Sequence, residues 1–209
     1  MHDWIKANSP VTASFYPPEK LNEYKKNVMA SYPELRGRMS ELRFQVLRRV
    51  FLQSGHDSDS ARSMARDAFS AFYQARSTGL TLFDGVDKAF SELKKYYPLI
   101  AITNGNADLE IAGFEHLFDY HIKADDFDAP KPAPDMFEAA LAKAGVRPEQ
   151  AIHIGDHPEQ DIEAALQLGM KTLWFNEKRA SWPLKTSRPH AEFSHWSQLV
   201  QQVKALADS

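Results

Sequence analysis

Short apolar runs that alternate with helical patterns are the feature of this sequence that most constrains its fold. The apolar runs fall at residues 99–102, 120–123, 151–154 and 171–175. Helical patterns lie around them at residues 86–96, 108–114, 134–144 and 158–168. Alternation of this kind is typical of βαβ units, in which parallel strands are buried between helices. We therefore predict an α/β fold with a parallel sheet for residues 81–209.

The first 80 residues have a different pattern, without strand-like runs. Apolar side chains recur there at three- and four-residue spacing, which is typical of amphipathic helices. The two clearest stripes are Met39, Leu42, Val46, Leu47 and Val50, followed by Ala61, Met64, Ala68, Phe69 and Phe72. Turn residues separate the stripes, and Ser58 or Asp59 is the expected cap of the second helix. We predict a helical subdomain at residues 1–80 and an α/β core at residues 81–209.

Composition excludes several classes of protein. There are no cysteines, so disulfides, thiol catalysis and cysteine-ligated metal clusters are excluded. The formal net charge of −3 argues against a dedicated nucleic-acid-binding protein. No apolar run approaches the roughly 20 residues that span a bilayer, and the N-terminus has the pattern of neither a signal peptide nor a transit peptide. We expect a cytoplasmic protein that has neither nucleic acid nor membrane as a partner.

Charged residues are unevenly distributed along the chain. Residues 1–80 hold 12 Lys/Arg and 8 Asp/Glu, whereas residues 81–209 hold 13 and 20. Two solvated surfaces of different sign would explain this, as would a basic lobe that faces an anionic ligand on an acidic, metal-binding lobe. We interpret the arginines of the first part mostly as a solvated face; they include Arg43, Arg48, Arg49 and Arg76. Arg76, near the junction of the two parts, is the candidate for substrate contact.

Polar residues stand where the strand predicted at residues 99–102 ends. In open parallel sheets, ligands bind at this edge. Thr103 offers a hydroxyl, and the Asn104-Gly105 pair exposes backbone N–H groups, which together suit a phosphoryl group. Asn-Gly is also an ordinary turn, so both interpretations stay open for this motif alone. Lys131 lies between two prolines that stiffen its loop, where it is either an anion ligand or a surface lysine.

Two carboxylates follow the strand predicted at residues 151–154. Asp156 comes directly after Gly155, and Asp161 begins the next helical pattern. Because Mg²⁺ prefers oxygen ligands, this pair predicts a magnesium site. For Asp161 the alternative is a favourable interaction with the helix dipole. His153 lies on the strand and is interpreted as a packed or edge residue.

In this order, the three motifs resemble those of the haloacid dehalogenase superfamily. Its second motif is a strand that ends in Thr or Ser, as at Thr103, and its third is a Lys, as at Lys131. Its fourth is an acidic strand end, as at Asp156 and Asp161. The surrounding runs look closest to bacterial phosphatases of the flavin mononucleotide phosphatase or nucleotidase-like branch. Dehalogenases of the superfamily generally lack the Gly-Asp-x-x-x-x-Asp pattern, so its presence favours metal-dependent phosphate chemistry.

The resemblance implies a Rossmann-like three-layer core with a parallel sheet, and a helical cap at residues 1–80. It also implies a Mg²⁺-dependent phosphatase of a small phosphorylated metabolite or nucleotide. The implied site residues are Thr103 and Lys131 for catalysis, Asn104 and Gly105 with them for phosphate binding, and Asp156 and Asp161 for the metal.

The superfamily's first motif, a strand ending in Asp-x-Asp, has no match in residues 1–80. The first Asp of that motif is the nucleophile. Asp84 and Asp87 are three residues apart rather than two, and Asp126 and Asp128 lie in a connector, so neither pair replaces the motif. We expect that the chain lacks about 20–30 N-terminal residues, enough for one strand, a loop and part of a helix. Such a chain would be inactive as it stands.

In the superfamily's sheet, the missing strand lies between the strands that end here at Thr103 and Asp156. Its loss predicts a slot of two strand spacings, about 10 Å wide. A strand from a neighbouring chain could fill the slot, so a homo-oligomer or strand exchange is a candidate assembly. The alternative function is a non-catalytic module that binds phosphate, metal or a protein.

Overall fold

The computed structural model describes residues 1–35 and 37–208, which fall into two compact units. The first unit comprises Met1–Leu80 and Gly105–Gly113, and the second comprises Thr81–Asn104 and Phe114–Ser209. The chain thus divides after residue 80, and residues 105–113 group with the first unit rather than with the second. Within the described residues, no helix combines the length and the apolar character needed to cross a membrane.

The first unit is built of helices around one apolar core. They are α1 (His2–Asn8), α2 (Pro10–Phe15), α3 (Leu21–Ser31), α4 (Met39–Gln53) and α5 (Ser58–Thr78). Of the predicted stripe of α4, Leu42, Val46, Leu47 and Val50 are buried and Met39 is half-buried; the buried face extends to Phe51. On α5 the buried residues are mostly alanines, whose small side chains pack in the same core as α4.

The cap of α5 differs from the prediction by one or two residues. Asp57 accepts hydrogen bonds from the backbone N–H groups of Asp59 and Ser60, each at 3.0 Å. The predicted caps, Ser58 and Asp59, therefore lie inside the helix. Asp57 is the better cap because its carboxylate reaches two N–H groups of the first turn that have no partner within the helix.

The segment at residues 108–114 forms turns and not the predicted helix. One carboxylate oxygen of Asp108 accepts hydrogen bonds from the N–H groups of Glu110 at 2.9 Å and Ile111 at 3.2 Å. The other oxygen accepts one from the hydroxyl of Tyr73, on α5, at 2.9 Å. Side-chain bonds of this kind compete with helix formation. The segment is therefore fixed against α5 as a loop.

The second unit contains the parallel strands. They are β1 (Ile100–Thr103), β2 (Tyr120–Lys123), β3 (Ile152–Gly155), β4 (Lys171–Phe175) and β5 (Ala191–Phe193). Its helices are α6 (Val86–Leu93), α7 (Asp135–Ala144), α8 (Ala164–Gln167) and α9 (Leu199–Ala207). β1 to β4 begin and end within one residue of their predicted positions. β5 is missing from the prediction because three residues give no readable pattern.

Helices cover both faces of the strands. Ile152 and Ile154 of β3 pack in a core with residues of α6 and α9. His153, between them, packs edge-to-face on Phe137 of α7 at a ring-centroid distance of 4.9 Å. Since successive side chains of a strand point to opposite faces, α7 lies on the face opposite to α6 and α9. The predicted α/β core with a parallel sheet is confirmed.

A groove lies between β1 and β3. Within residues 1–35 and 37–208, β1 pairs only with β2, and β3 pairs only with β4. The groove measures about 540 Å³, and Ile100 and Ile102 of β1 line it together with Ile152, His153 and Ile154 of β3. A strand that is paired on one side presents unused N–H and C=O groups on the other. The groove lies where the sequence analysis expected a slot, and the loss of a strand from it stays a prediction.

Candidate functional site

Most predicted site residues lie at the carboxyl ends of β1 and β3. Thr103 is the last residue of β1, and Asn104 follows it. Asp156 follows the last residue of β3, and Asp161 lies in a wide π-type turn at Pro158–Glu163. Lys131 belongs to the loop before α7. All five are in the second unit, as the parallel connections require.

Two predicted site residues belong to the first unit. Gly105 begins the segment Gly105–Gly113, which groups with the helices. Arg76 lies in the last turn of α5 and is exposed. Their predicted roles in binding phosphate and substrate stay predictions.

Asn104 fixes the backbone of Lys131. Its Oδ1 accepts a hydrogen bond from the Lys131 N–H at 2.8 Å, and its Nδ2 donates to the Lys131 carbonyl at 2.8 Å. Nδ2 also donates to Oε1 of Gln160 at 3.0 Å. The amide side chain thus holds the lysine loop against the end of β1. This structural role of the Asn104 side chain adds to the phosphate-binding role predicted for its backbone N–H group.

The ammonium group of Lys131 is buried and paired. Nζ donates to Oδ1 of Asp161 at 2.5 Å and to the carbonyl of Ile102 at 3.1 Å. The side chains of Lys131 and Asp161 are 9% and 6% exposed, so solvent screens this pair very little. Lys131 is therefore a fixed cation next to the end of β1, not a surface lysine.

Asp161 is the centre of a wider set of hydrogen bonds. Its Oδ1 also lies 3.3 Å from Nε2 of His153, and its Oδ2 accepts the N–H of His157 at 3.0 Å. Burial alone would raise the pKa of Asp161, but the hydrogen bond with His153 and the charge of Lys131 outweigh it and hold that pKa below its usual range. Asp161 is therefore an anion at neutral pH.

His153 supports Asp161 as a neutral side chain. Burial lowers the pKa of His153, and the bond with Asp161 opposes this effect only in part. Since the carboxylate can only accept, we assign the ring proton to Nε2. The prediction of a packed residue holds for the ring on Phe137, but the bond to Asp161 was not predicted. The sequence feature that could have indicated this bond is the position of His153 two residues before Gly155, which places both residues on the same face of β3.

Gly155 allows the side chain of Asp161 to pack against the end of β3. A Cβ atom at Gly155 would overlap the Cβ, Cγ and Oδ2 atoms of Asp161. Only glycine lets the carboxylate lie directly against the end of β3. The Gly-Asp pair is thus needed for the packing of Asp161 as well as for the position of Asp156.

Asp156 has a different environment from Asp161. It is exposed, and its carboxylate has no hydrogen bond or ion pair to any residue in the described part of the chain. Its backbone is fixed, because Nε1 of Trp174 donates to the Asp156 carbonyl at 2.9 Å. The two carboxylates predicted to share a metal therefore differ: one is free to bind a cation, and the other is bonded within the protein.

A family comparison agrees with the order of the motifs. The sequence model of the haloacid dehalogenase-like hydrolase family matches residues 5–169 of this chain. That range includes the ends of both β1 and β3, Lys131 and Asp161.

The individual relatives include two phosphatases and a dehalogenase. The chain is 27% identical over 204 residues to a 5-amino-6-(5-phospho-D-ribitylamino)uracil phosphatase of Escherichia coli, an alignment that covers 96% of this chain and 84% of that protein. It is 31% identical over 155 residues to the N-acylneuraminate-9-phosphatase of Homo sapiens, covering 71% of this chain and 60% of that protein. The crystal structure of a 2-haloacid dehalogenase from Pseudomonas syringae superposes with a TM-score of 0.91 at 33% identity, covering 97% of this chain and 87% of that chain.

Proposed function

The chain belongs to the haloacid dehalogenase-like hydrolases, and on this basis we propose that the complete protein is a Mg²⁺-dependent phosphatase of a small phosphorylated metabolite or nucleotide. The observation that carries the proposal is the buried ammonium of Lys131, held at the ends of the strands by Asp161 and the Ile102 carbonyl. A fixed cation at this edge suits the charge of a phosphoryl group. The E. coli and human relatives, both phosphatases, support the same chemistry.

Each proposed phosphate ligand has a distinct part. The hydroxyl of Thr103 and the N–H groups of Asn104 and Gly105 would hold phosphoryl oxygens. Lys131 would neutralise charge that develops on the group during transfer. Asn104 would also keep Lys131 in place, through the two hydrogen bonds between its amide and the lysine backbone.

The described residues fit a magnesium ion only in part. Among residues 1–35 and 37–208, no three His, Asp or Glu side chains are grouped as a metal site. Asp156 could bind the ion directly, whereas both oxygens of Asp161 already bond to Lys131, His153 and His157. Bound at Asp156, Mg²⁺ would neutralise phosphoryl charge. Its other ligands would come from the Asp-x-Asp strand of the complete protein, as the resemblance implies.

Phosphate chemistry is proposed in preference to dehalogenation. The structural relative from P. syringae is a 2-haloacid dehalogenase, so the fold alone serves both reactions. The Gly155-Asp156 pair followed by Asp161 is the pattern that favours the metal-dependent branch. The proposed substrate is a small metabolite, and the absence of cysteines suits the reducing cytoplasm as the place of action.

We also propose that this chain lacks its nucleophile strand and is inactive as it stands. The groove between β1 and β3 supports this, since it separates two strands that a strand between them would join. The second candidate is a non-catalytic phosphate-binding module. It is favoured by one observation: the cation at Lys131 is intact while the Asp-x-Asp motif is absent.

An assay of the 209-residue chain tests what both proposals expect, namely phosphate binding without turnover. We expect no Mg²⁺-dependent hydrolysis of p-nitrophenyl phosphate, but measurable binding of inorganic phosphate by calorimetry. Binding should be lost in Lys131→Met and unchanged in Lys95→Met, which removes an exposed lysine. Turnover that disappears in Lys131→Met would contradict inactivity, and phosphate binding that is indifferent to Lys131 would contradict the proposed site.

A further inference from the structure

Two anchored asparagines flank Gly105, where the chain passes from the second unit to the first. On one side, the side chain of Asn104 is held by hydrogen bonds with Lys131 and Gln160. On the other side, Asn106 is only 6% exposed, and its Nδ2 donates to the hydroxyl of Ser40 on α4 at 3.1 Å. The backbone on each side of Gly105 is therefore fixed by a side chain.

Asp108 ties the same segment to α5. Its backbone N–H donates to the hydroxyl of Ser77 at 2.9 Å, and its carboxylate accepts the hydroxyl of Tyr73 at 2.9 Å. Ser77 is completely buried, so bulk water does not compete for its hydrogen bond. Helix α5 thus fixes the backbone three residues after Gly105.

Gly105 cannot fix the direction of its own N–H group. Because glycine has no Cβ atom, its backbone adopts a wider range of dihedral angles than that of any other residue. The direction of this N–H group therefore depends on the anchored residues around it. A phosphoryl oxygen is bound best by donors that already point at it, since no reorganisation is then needed.

We propose that Ser77 and Tyr73 are positioning residues of the phosphate site. Acting through Asp108, they hold the segment so that the N–H group of Gly105 points at a phosphoryl oxygen. Asn106 fixes the same segment from α4. The inference rests on the phosphate site proposed above, and it adds the side chains of α5 on which the affinity of that site depends.

Glycine-selective ¹⁵N labelling follows Gly105 directly, because the chain has nine glycines. The Gly105 signal is assigned by its loss in Gly105→Ala and is followed during titration with inorganic phosphate, with chloride as the ionic-strength control. In the wild type we expect a saturable shift with phosphate and none with chloride. Ser77→Ala and Tyr73→Phe should each displace the Gly105 signal before phosphate is added. Each should also weaken phosphate binding about two- to tenfold, the effect of one hydrogen bond.

Two control variants separate positioning from a general loss of stability in the helical unit. Tyr24→Phe removes a hydroxyl that donates to the Phe15 carbonyl at 2.8 Å. Ser54→Ala removes a half-buried hydroxyl that lies 2.6 Å from the hydroxyl of Thr12 and donates to the Phe51 carbonyl at 2.9 Å. These hydroxyls bond to residues of α2 and α4, so both controls should leave the phosphate affinity unchanged even where they lower the melting temperature.

The outcomes separate this inference from the proposed function. Weaker phosphate binding in Ser77→Ala and Tyr73→Phe than in the two controls, at a similar loss of melting temperature, supports the positioning role. Wild-type phosphate binding that stays equally strong in Ser77→Ala and Tyr73→Phe would overturn that role and leave the phosphate site standing. A wild-type Gly105 signal that responds no more to phosphate than to chloride would overturn both.

Discussion

Replacing Asp161 with asparagine should lower the free energy of unfolding by about 3–5 kcal/mol, because the buried ammonium of Lys131 then loses its counter-charge. The two side chains are 9% and 6% exposed and their charged atoms are 2.5 Å apart, so water cannot take over the role of the carboxylate. His153 and the N–H of His157 would also lose an anionic acceptor. The loss is measured by urea denaturation at pH 7.

The choice of pH follows from the pKa of Asp161. Because folding lowers this pKa, the ionised Asp161 stabilises the folded state fully at any pH above the ordinary carboxyl pKa of about 4. It is lost as the pH falls through the pKa of the folded state. The difference between the wild type and Asp161→Asn should therefore be constant near neutral pH and shrink in acid.

Two controls identify the buried pair as the cause. Glu92→Gln breaks an exposed ion pair with Lys95 by the same chemical change, and we expect it to leave stability nearly unchanged. The double variant Lys131→Met/Asp161→Leu removes both charges, and it should regain most of the stability lost in Asp161→Asn. A double variant at least as unstable as Asp161→Asn would show that packing around Asp161, not the unpaired charge, causes the loss.

An added N-terminal strand should raise the melting temperature by about 5–15 °C. The groove between β1 and β3 is lined largely by apolar side chains, and each further apolar side chain buried there contributes about 1.5–3 kcal/mol. The conformational entropy lost when the strand becomes ordered opposes this stabilisation by about 1.5 kcal/mol per residue. Backbone hydrogen bonds to β1 and β3 add to the stabilisation. For a chain of this size, each kcal/mol corresponds to about 2–4 °C.

The extension experiment has an internal control. The added segment is an apolar strand that ends in Asp-x-Asp, and the comparison chain carries the same segment with its apolar residues changed to serine. Amide hydrogen exchange should slow in β1 and β3 but stay the same in β4, which already pairs on both sides. Equal melting temperatures for the two extensions would show that the groove does not accept a strand. Protection of β1 and β3 in the unextended chain that grows with concentration would indicate strand exchange between copies.

Local patterns in the sequence were sufficient to predict β1 to β4. The apolar runs located β1 to β4 because buried parallel strands are apolar throughout. Thr103, Lys131 and Asp161 were selected because they occur near strand ends in a recognisable order, and their roles stay predictions. The loop at residues 108–114 was missed because its conformation depends on a bond to Tyr73, 35 residues away.

Contacts between distant residues account for the other differences. The pairing of Lys131 with Asp161 joins residues 30 apart, and Asn104 reaches Gln160 across 56 residues. Nothing in the sequence around Lys131 or Asn104 specifies these distant partners. Arg43 was interpreted as part of a solvated face, but its guanidinium carbon lies 3.9 Å from the centroid of the Phe72 ring, on another helix.

Hydrolysis by the extended chain is the most direct measurement of whether this hydrolase core lacks only its nucleophile strand. With Mg²⁺ present, the chain that carries the Asp-x-Asp strand should release phosphate from p-nitrophenyl phosphate at least about 10³-fold faster than the 209-residue chain. Asparagine in place of the first Asp of the added strand, or Lys131→Met, should remove this gain. An extended chain that is stabilised yet no faster than the 209-residue chain would contradict the proposed phosphatase.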